Sequence, residues 1–119
     1  MEIRTSSQME SLSVFWNPSC GYCRAMLDDV KAWEEERPAG SPDLIVISAG
    51  SPAANREQGF RSRVLLDPKF AAGRAFGSSA TPSALLVDER GRVASEVVVG
   101  AAAVLKMAGA STIARSVPA

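Results

Sequence analysis

Apolar positions along the chain change their spacing at a few sharp boundaries, and each spacing predicts an element. Leu12, Val14 and Trp16 alternate with smaller or polar residues, which predicts a buried strand over 12–16 that ends near Asn17-Pro18. From Gly21 the period lengthens. Met26, Leu27, Val30 and Trp33 recur at helical spacing, Arg24, Asp28, Lys31 and Glu34 to Glu36 take the opposite side, and Pro38 and Gly40 stop the pattern. This is an amphipathic helix of about four turns. The run DLIVIS at 43–48 is continuous and β-branched, as in a strand covered on both faces. A short helix fits 53–59, closing at Gly59, and RVLLD at 63–67 is a short strand. Pro68 is placed to open a helix with Phe70, Ala71, Ala75 and Phe76 on its apolar side, ending at Gly77. The alternation then changes: SALLVD and RVASEVVV, joined by 89–91, predict two strands of an antiparallel hairpin, followed by a final helix over 101–110. One α/β domain with a central mixed β-sheet flanked by helices accounts for 11–119. Residues 1–10, with RTSSQ, have the composition of a flexible N-terminal segment or linker.

Composition narrows the class. The chain has 119 residues, 46% hydrophobic and 22% charged, the balance of a folded soluble domain with its own core. Thirteen basic and thirteen acidic residues cancel without a basic cluster, so nothing favours nucleic acid or an anionic membrane surface. The longest apolar runs fall short of the roughly 20 residues that a membrane helix needs. The opening residues lack the basic-then-apolar order of a secretory signal, which leaves a cytoplasmic protein or a mature or excised domain. A phosphate-binding loop would need a Lys that GSSATPS at 77–83 lacks, and with no His in the chain a Cys-His hydrolase is excluded.

Both cysteines lie in one stretch, VFWNPSCGYCRAML at 14–27. At the end of a strand and the first turn of a helix, Cys20 meets free backbone N–H groups and the positive end of the helix dipole, which favour thiolate over thiol. A lowered Cys20 pKa follows, with Arg24 as a minor contributor. Cys23 is close enough to close a small disulfide ring, so Cys20 can attack a partner disulfide and Cys23 can displace the partner. Three other readings remain. A zinc site would need further ligands that the chain lacks, copper(I) could sit between the two thiolates, and the pair could be packed core cysteines.

Together with VLLDPKFAAGRAFGSSATPSALLVDERGRV at 64–93 and VVGAAAVL at 98–105, the cysteine stretch resembles the thioredoxin-like superfamily, and within it the TlpA/ResA-like thiol–disulfide oxidoreductases. The resemblance implies a thioredoxin fold with a helix-strand insertion between its N- and C-terminal halves. It implies a cis-proline at Thr81-Pro82 facing the redox pair, with the Thr81 backbone holding an extended partner segment. Cys20 would attack and Cys23 resolve, with Tyr22 touching the partner and Trp16 as a core-facing support. No bound cofactor or metal is needed, since two electrons reside in the cysteine pair. Implied partners are protein thiols or disulfides and a redox-recycling protein, and the chain would act as a monomer outside the bacterial cytoplasm.

The sequence departs from that family at several positions. Ser19 replaces a usual tryptophan, and Gly21-Tyr22 resembles the dipeptide of periplasmic disulfide isomerases, so a disulfide isomerase stands beside the oxidoreductase and a copper(I)- or partner-binding module as an alternative. Ser51 stands where relatives carry a glutamate near the redox pair; Glu57, the nearest acid, reads as a solvated helix residue. Relatives place about thirty residues before the first core strand, against about ten here, so the resemblance suggests a domain excised from a longer protein that could be tethered to a membrane. Trp33 reads as core, and Glu34 to Glu36 as a solvated helix end.

Overall fold

In a computed structural model, residues 10–37 and 39–109 are described. Nine elements follow one another: β1 (Ser11–Trp16), α1 (Gly21–Glu35), β2 (Asp43–Ser48), α2 (Pro52–Gln58), β3 (Arg63–Leu66), α3 (Ala71–Ala75), β4 (Ser83–Val87), β5 (Val98–Val99) and α4 (Ala101–Ala108). The strands form one sheet in the order β3-β2-β1-β4-β5. β1 runs parallel to β2 and β2 to β3, whereas β4 is antiparallel to both β1 and β5. The sheet is therefore mixed, as the sequence predicts.

β1 lies at its centre, and its alternation sorts side chains between two layers. Leu12, Val14 and Trp16 join Leu44 and Val46 of β2, Met26, Val30 and Trp33 of α1, and Val104 and Ala108 of α4 in one buried cluster. The Trp33 indole N–H donates to the Ala108 carbonyl at 2.8 Å, tying α1 to α4 inside that cluster. Phe15 points to the other face, where it meets Phe70 edge-on at 6.2 Å and Phe76 at 6.3 Å between ring centroids. Burial of each such side chain contributes about 1.5–3 kcal/mol, so β1 is fixed from both sides.

The second half departs from the expected hairpin. Val93 makes a single bridge to Val87, and regular pairing resumes only at Val98–Val99. Between them the Leu86 carbonyl accepts from the Ala94 N–H, but the Leu86 N–H donates to the Ser95 hydroxyl at 2.8 Å. A side-chain acceptor thus replaces a ladder carbonyl, and the strand expected over 92–99 is interrupted.

Two further expectations change. Pro68 does not open α3; the helix begins three residues later, after Phe70 in a left-handed conformation (φ 57°). The Asp67 carboxylate accepts from the N–H groups of Ala71, Ala72 and Gly73, so a side chain upstream of the turn sets the start. Nor is Glu34 merely solvated. Its carboxylate accepts from the Arg61 and Ser62 N–H groups and the Ser62 hydroxyl, binding the approach to β3 onto α1. α4 ends at Ala108 with Gly109 as a left-handed cap. Residue 110, included in the expected helix, and residues 1–9, the bulk of the expected linker, lie outside the described residues.

Candidate redox site

The cysteine stretch starts where β1 ends. The Asn17 side-chain oxygen accepts from the Ser19 N–H at 2.9 Å, and the Asn17 carbonyl accepts from the Cys20 N–H at 2.9 Å, closing a tight turn. Cys20 is the N-cap residue of α1: its backbone is extended (φ −78°, ψ 128°) and its carbonyl accepts from the Arg24 N–H at 3.0 Å. No side chain caps this helix, which leaves first-turn N–H groups available to the Cys20 sulfur. Three residues on, Cys23 falls on the core side of the same turn and is 0% exposed. Both cysteines carry free thiols.

The two sulfurs are driven apart in acidity. Burial pushes the Cys20 thiol up, but the Thr81 side chain, the backbone N–H groups of Cys23 and Tyr22 and the Cys23 thiol all favour its thiolate, and the sum leaves its pKa below the ordinary 9.0. For Cys23, burial dominates, and the neighbouring charge of Cys20 adds to it. The Asn17 N–H and Thr81 favour its thiolate too weakly to compensate, and its pKa is pushed up to about 12.

The opposite wall comes from a segment sixty-one residues away. The Thr81–Pro82 peptide bond is cis. The Cys20 thiol donates to the Thr81 carbonyl at 3.4 Å, so the loop before β4 touches the sulfur directly. Ser78 holds that loop in shape: its hydroxyl donates to the Ala80 carbonyl at 3.0 Å and lies 2.6 Å from the Ser83 hydroxyl. The Gly100 N–H donates to the Pro82 carbonyl at 2.9 Å, anchoring the loop to the start of α4.

Of the residues singled out in the sequence, Cys20, Cys23, Thr81 and Pro82 are brought together. Tyr22 is 76% exposed beside the pair. Arg24 is exposed on α1, and the contributions that lower the Cys20 pKa come from Thr81 and, as expected, from backbone N–H groups. Trp16 is wholly buried, stacked edge-on against Phe60 at 5.2 Å, with its indole N–H donating to the Gln58 side chain at 3.2 Å. It supports the end of β1 from the core and does not reach the sulfurs' open side.

The comparisons with known proteins give the fold a name. No family model and no curated protein sequence matches the chain. Solved structures do: StoA from Bacillus subtilis superposes with a TM-score of 0.66 at 15% identity, over 84% of this chain and 82% of that one. The fold is thioredoxin-like. A secreted Mycobacterium tuberculosis disulfide oxidoreductase homologous to Escherichia coli DsbE gives 0.66 at 16% identity, over 92% and 85%. A secreted thiol-disulfide isomerase from Corynebacterium glutamicum gives 0.63 at 21%, over 89% and 72%.

Within this thioredoxin-like fold, the sequence reading missed several residues that shape the site. Ser51 caps α2, its hydroxyl accepting from the Ala54 N–H at 3.1 Å, which gives it a structural role in the loop after β2. Glu57 is exposed on α2, as expected. Asn17, Ser78 and Ser83 bear directly on the two loops that meet at Cys20. Only Asn17 left a legible signal, the Asn-Pro pair that favours a turn. Ser78 and Ser83 act through a contact that exists only once β4 is paired.

Proposed function

We propose that this chain is a thiol–disulfide oxidoreductase that exchanges electrons with protein disulfides or dithiols through Cys20 and Cys23. The observation that carries the reading is the pairing of an acidic, accessible Cys20 against the Thr81 carbonyl with a buried Cys23 one turn behind it. The Cys20 thiolate attacks one sulfur of a partner disulfide; a Cys20–partner S–S bond forms, the partner S–S bond breaks, and the departing thiolate takes a proton. Cys23 then loses its proton and attacks the Cys20 sulfur, releasing the second partner thiolate. The partner gains two electrons and the chain ends as the Cys20–Cys23 disulfide. Run backwards, the same steps oxidise a partner dithiol. A further dithiol or disulfide protein returns the pair to its starting state.

Thr81 and Pro82 form the backbone rim against which an extended partner segment lies, and Tyr22 is the exposed side chain that meets it. No helix among the described residues is long and apolar enough to cross a membrane. Two of the similar proteins are described as secreted, which supports an extracytoplasmic place of work. Titration in glutathione redox buffers, read by alkylation and mass, tests the reading: a single reversible two-electron transition of Cys20 and Cys23 is expected. The absence of any reversible transition would overturn it.

A further inference from the structure

The edge of the sheet at β3 carries chemistry that the cysteine site does not use. β3 ends the strand order, so among the described residues no strand pairs with its outer side. The Asp67 N–H donates to the Ser48 carbonyl at the end of β2 at 2.7 Å, which sets the alternation: Arg63, Leu65 and Asp67 turn their backbone groups inward, Val64 and Leu66 outward. This open stretch is closed at both ends. The Ser62 N–H is taken by the Glu34 carboxylate at 2.8 Å, and Pro68 has no N–H to offer. The N–H and C=O groups of Val64 and Leu66 are what remain at the edge. Side chains point the same way. The register joins Phe15, Ile47 and Leu65 into one row across β1, β2 and β3. Phe15 is wholly buried, Ile47 half-buried and Leu65 46% exposed, so an apolar row that starts in the core runs out into solvent beside the open backbone groups. Such an edge is a template for another strand.

We propose that this edge pairs with the same edge of a second copy of the chain, antiparallel about a two-fold axis at Leu65. The occupant follows from self-complementarity. In that register Val64 of one copy faces Leu66 of the other and exchanges both backbone hydrogen bonds with it, and the two-fold repeats the exchange, so every outward group of the edge is satisfied. Moving the axis to Val64 would set Leu66 against Ser62, and moving it to Leu66 would set Val64 against Pro68. Each slip loses a donor. Charge selects the same pairing. Arg63, exposed on β3, falls opposite Asp67 of the second copy, on the face that Leu65 shares, so an opposite-charge pair forms on each side of the axis. Asp67 Oδ1 accepts only from the Ala71 N–H, which leaves it able to accept from a guanidinium. A parallel in-register pairing would instead set Arg63 beside Arg63. The two sheets become one, with the Phe15–Ile47–Leu65 row continued across the axis. β2 and β3 of each copy stand between the axis and β1, and antiparallel order sends the two cysteine pairs to opposite ends. The pairing does not depend on the redox reading and differs from the monomer that the family resemblance implies.

Sedimentation equilibrium of the full chain from about 1 μM to 1 mM, the range of a small interface, tests the pairing. A reversible monomer–dimer equilibrium is expected. Leu65→Glu sets two carboxylates against each other at the axis and should raise the dissociation constant at least about ten-fold. Cross-linking reads the register. With Cys20→Ser and Cys23→Ser removing the native thiols, Leu65→Cys should form an intermolecular disulfide when treated with oxidised glutathione, because a facing non-hydrogen-bonded pair brings Cα atoms to about 4.5 Å. Leu66→Cys, whose neighbour across the axis is Val64, should cross-link at least about ten-fold less. The cysteine variant also serves if Leu65→Glu does not fold. A chain that stays monomeric across the series, a dimer that Leu65→Glu leaves unchanged, or equal cross-linking at both positions would overturn the proposal. A monomer whose Val64 and Leu66 amides resist hydrogen exchange would overturn it too, with another segment covering the edge.

Discussion

The outer and inner sides of the first turn of α1 hold the same side chain in opposite states. On the outer side Cys20 is partly open, faces backbone N–H groups and the Thr81 carbonyl, and is more acidic than an ordinary thiol. On the inner side Cys23 is sealed by the core and is far less acidic, at about 12. Three residues of separation suffice because Cys20 is the extended N-cap residue just outside the helix, whereas Cys23 lies within the first turn on the side packed into the core. The difference teaches that, in the proposed exchange, the order of attack would be set by burial and local donors and not by chain order alone. Under that proposal the exposed thiolate would begin an exchange, and the buried thiol would wait until the partner's sulfur is held beside it.

The sharpest way to break this asymmetry is to remove one sulfur at a time. Cys20→Ser is expected to lower exchange with a protein disulfide to the uncatalysed background. Cys23→Ser should keep the first attack and accumulate mixed disulfides, seen as higher-mass bands that a reductant dissolves. Equal losses in both variants without trapped partner would contradict the assignment of roles.

The pH dependence of alkylation sharpens the same comparison. Only thiolate is nucleophilic, so each rate rises with pH until the group's own pKa is passed. In Cys23→Ser the rate at Cys20 should level off below pH 9. In Cys20→Ser the rate at Cys23 should still be climbing above pH 10, because burial continues to hold its proton after the Cys20 charge is gone. Iodoacetamide trapping with mass readout checks both.

Thr81→Val is a smaller perturbation. It removes the hydroxyl that favours both thiolates and keeps the backbone carbonyl that Cys20 contacts. The Cys20 titration should move upward, and attack near neutral pH should slow about five-fold, as for one hydrogen bond. Tyr22→Ala is smaller still. Its side chain is exposed, so unfolding free energy should shift by no more than about 0.5 kcal/mol. The rate with a protein disulfide should fall a few-fold while that with a small disulfide is unchanged, and equal rates with both would remove Tyr22 from the partner surface.

How much of this was legible depends on where the cause lies. The helical spacing of Met26, Val30 and Trp33 identified α1 and its buried side, because periodicity is a property of neighbouring residues. The break in the strand over 92–99 was not legible, since Ser95 accepts from Leu86 only when the two segments lie side by side. Glu34 read as solvated because nothing within its own helix shows that Arg61 and Ser62 will present two N–H groups to it. The start of α3 was misplaced because Asp67 satisfies the first turn from outside the expected helix.

By itself the sequence determined the order of strands and helices and the position of a cysteine pair where a strand gives way to a helix. Both follow from local spacing and turn chemistry. Only the tertiary structure decided that Thr81, sixty-one residues away, touches Cys20, that Cys23 is sealed, and that Gly50 lies against the Pro18 ring. Burial and contact between distant segments arise when the sheet assembles and helices cover it, and together with the local N–H groups of the first turn they set how tightly each sulfur holds its proton.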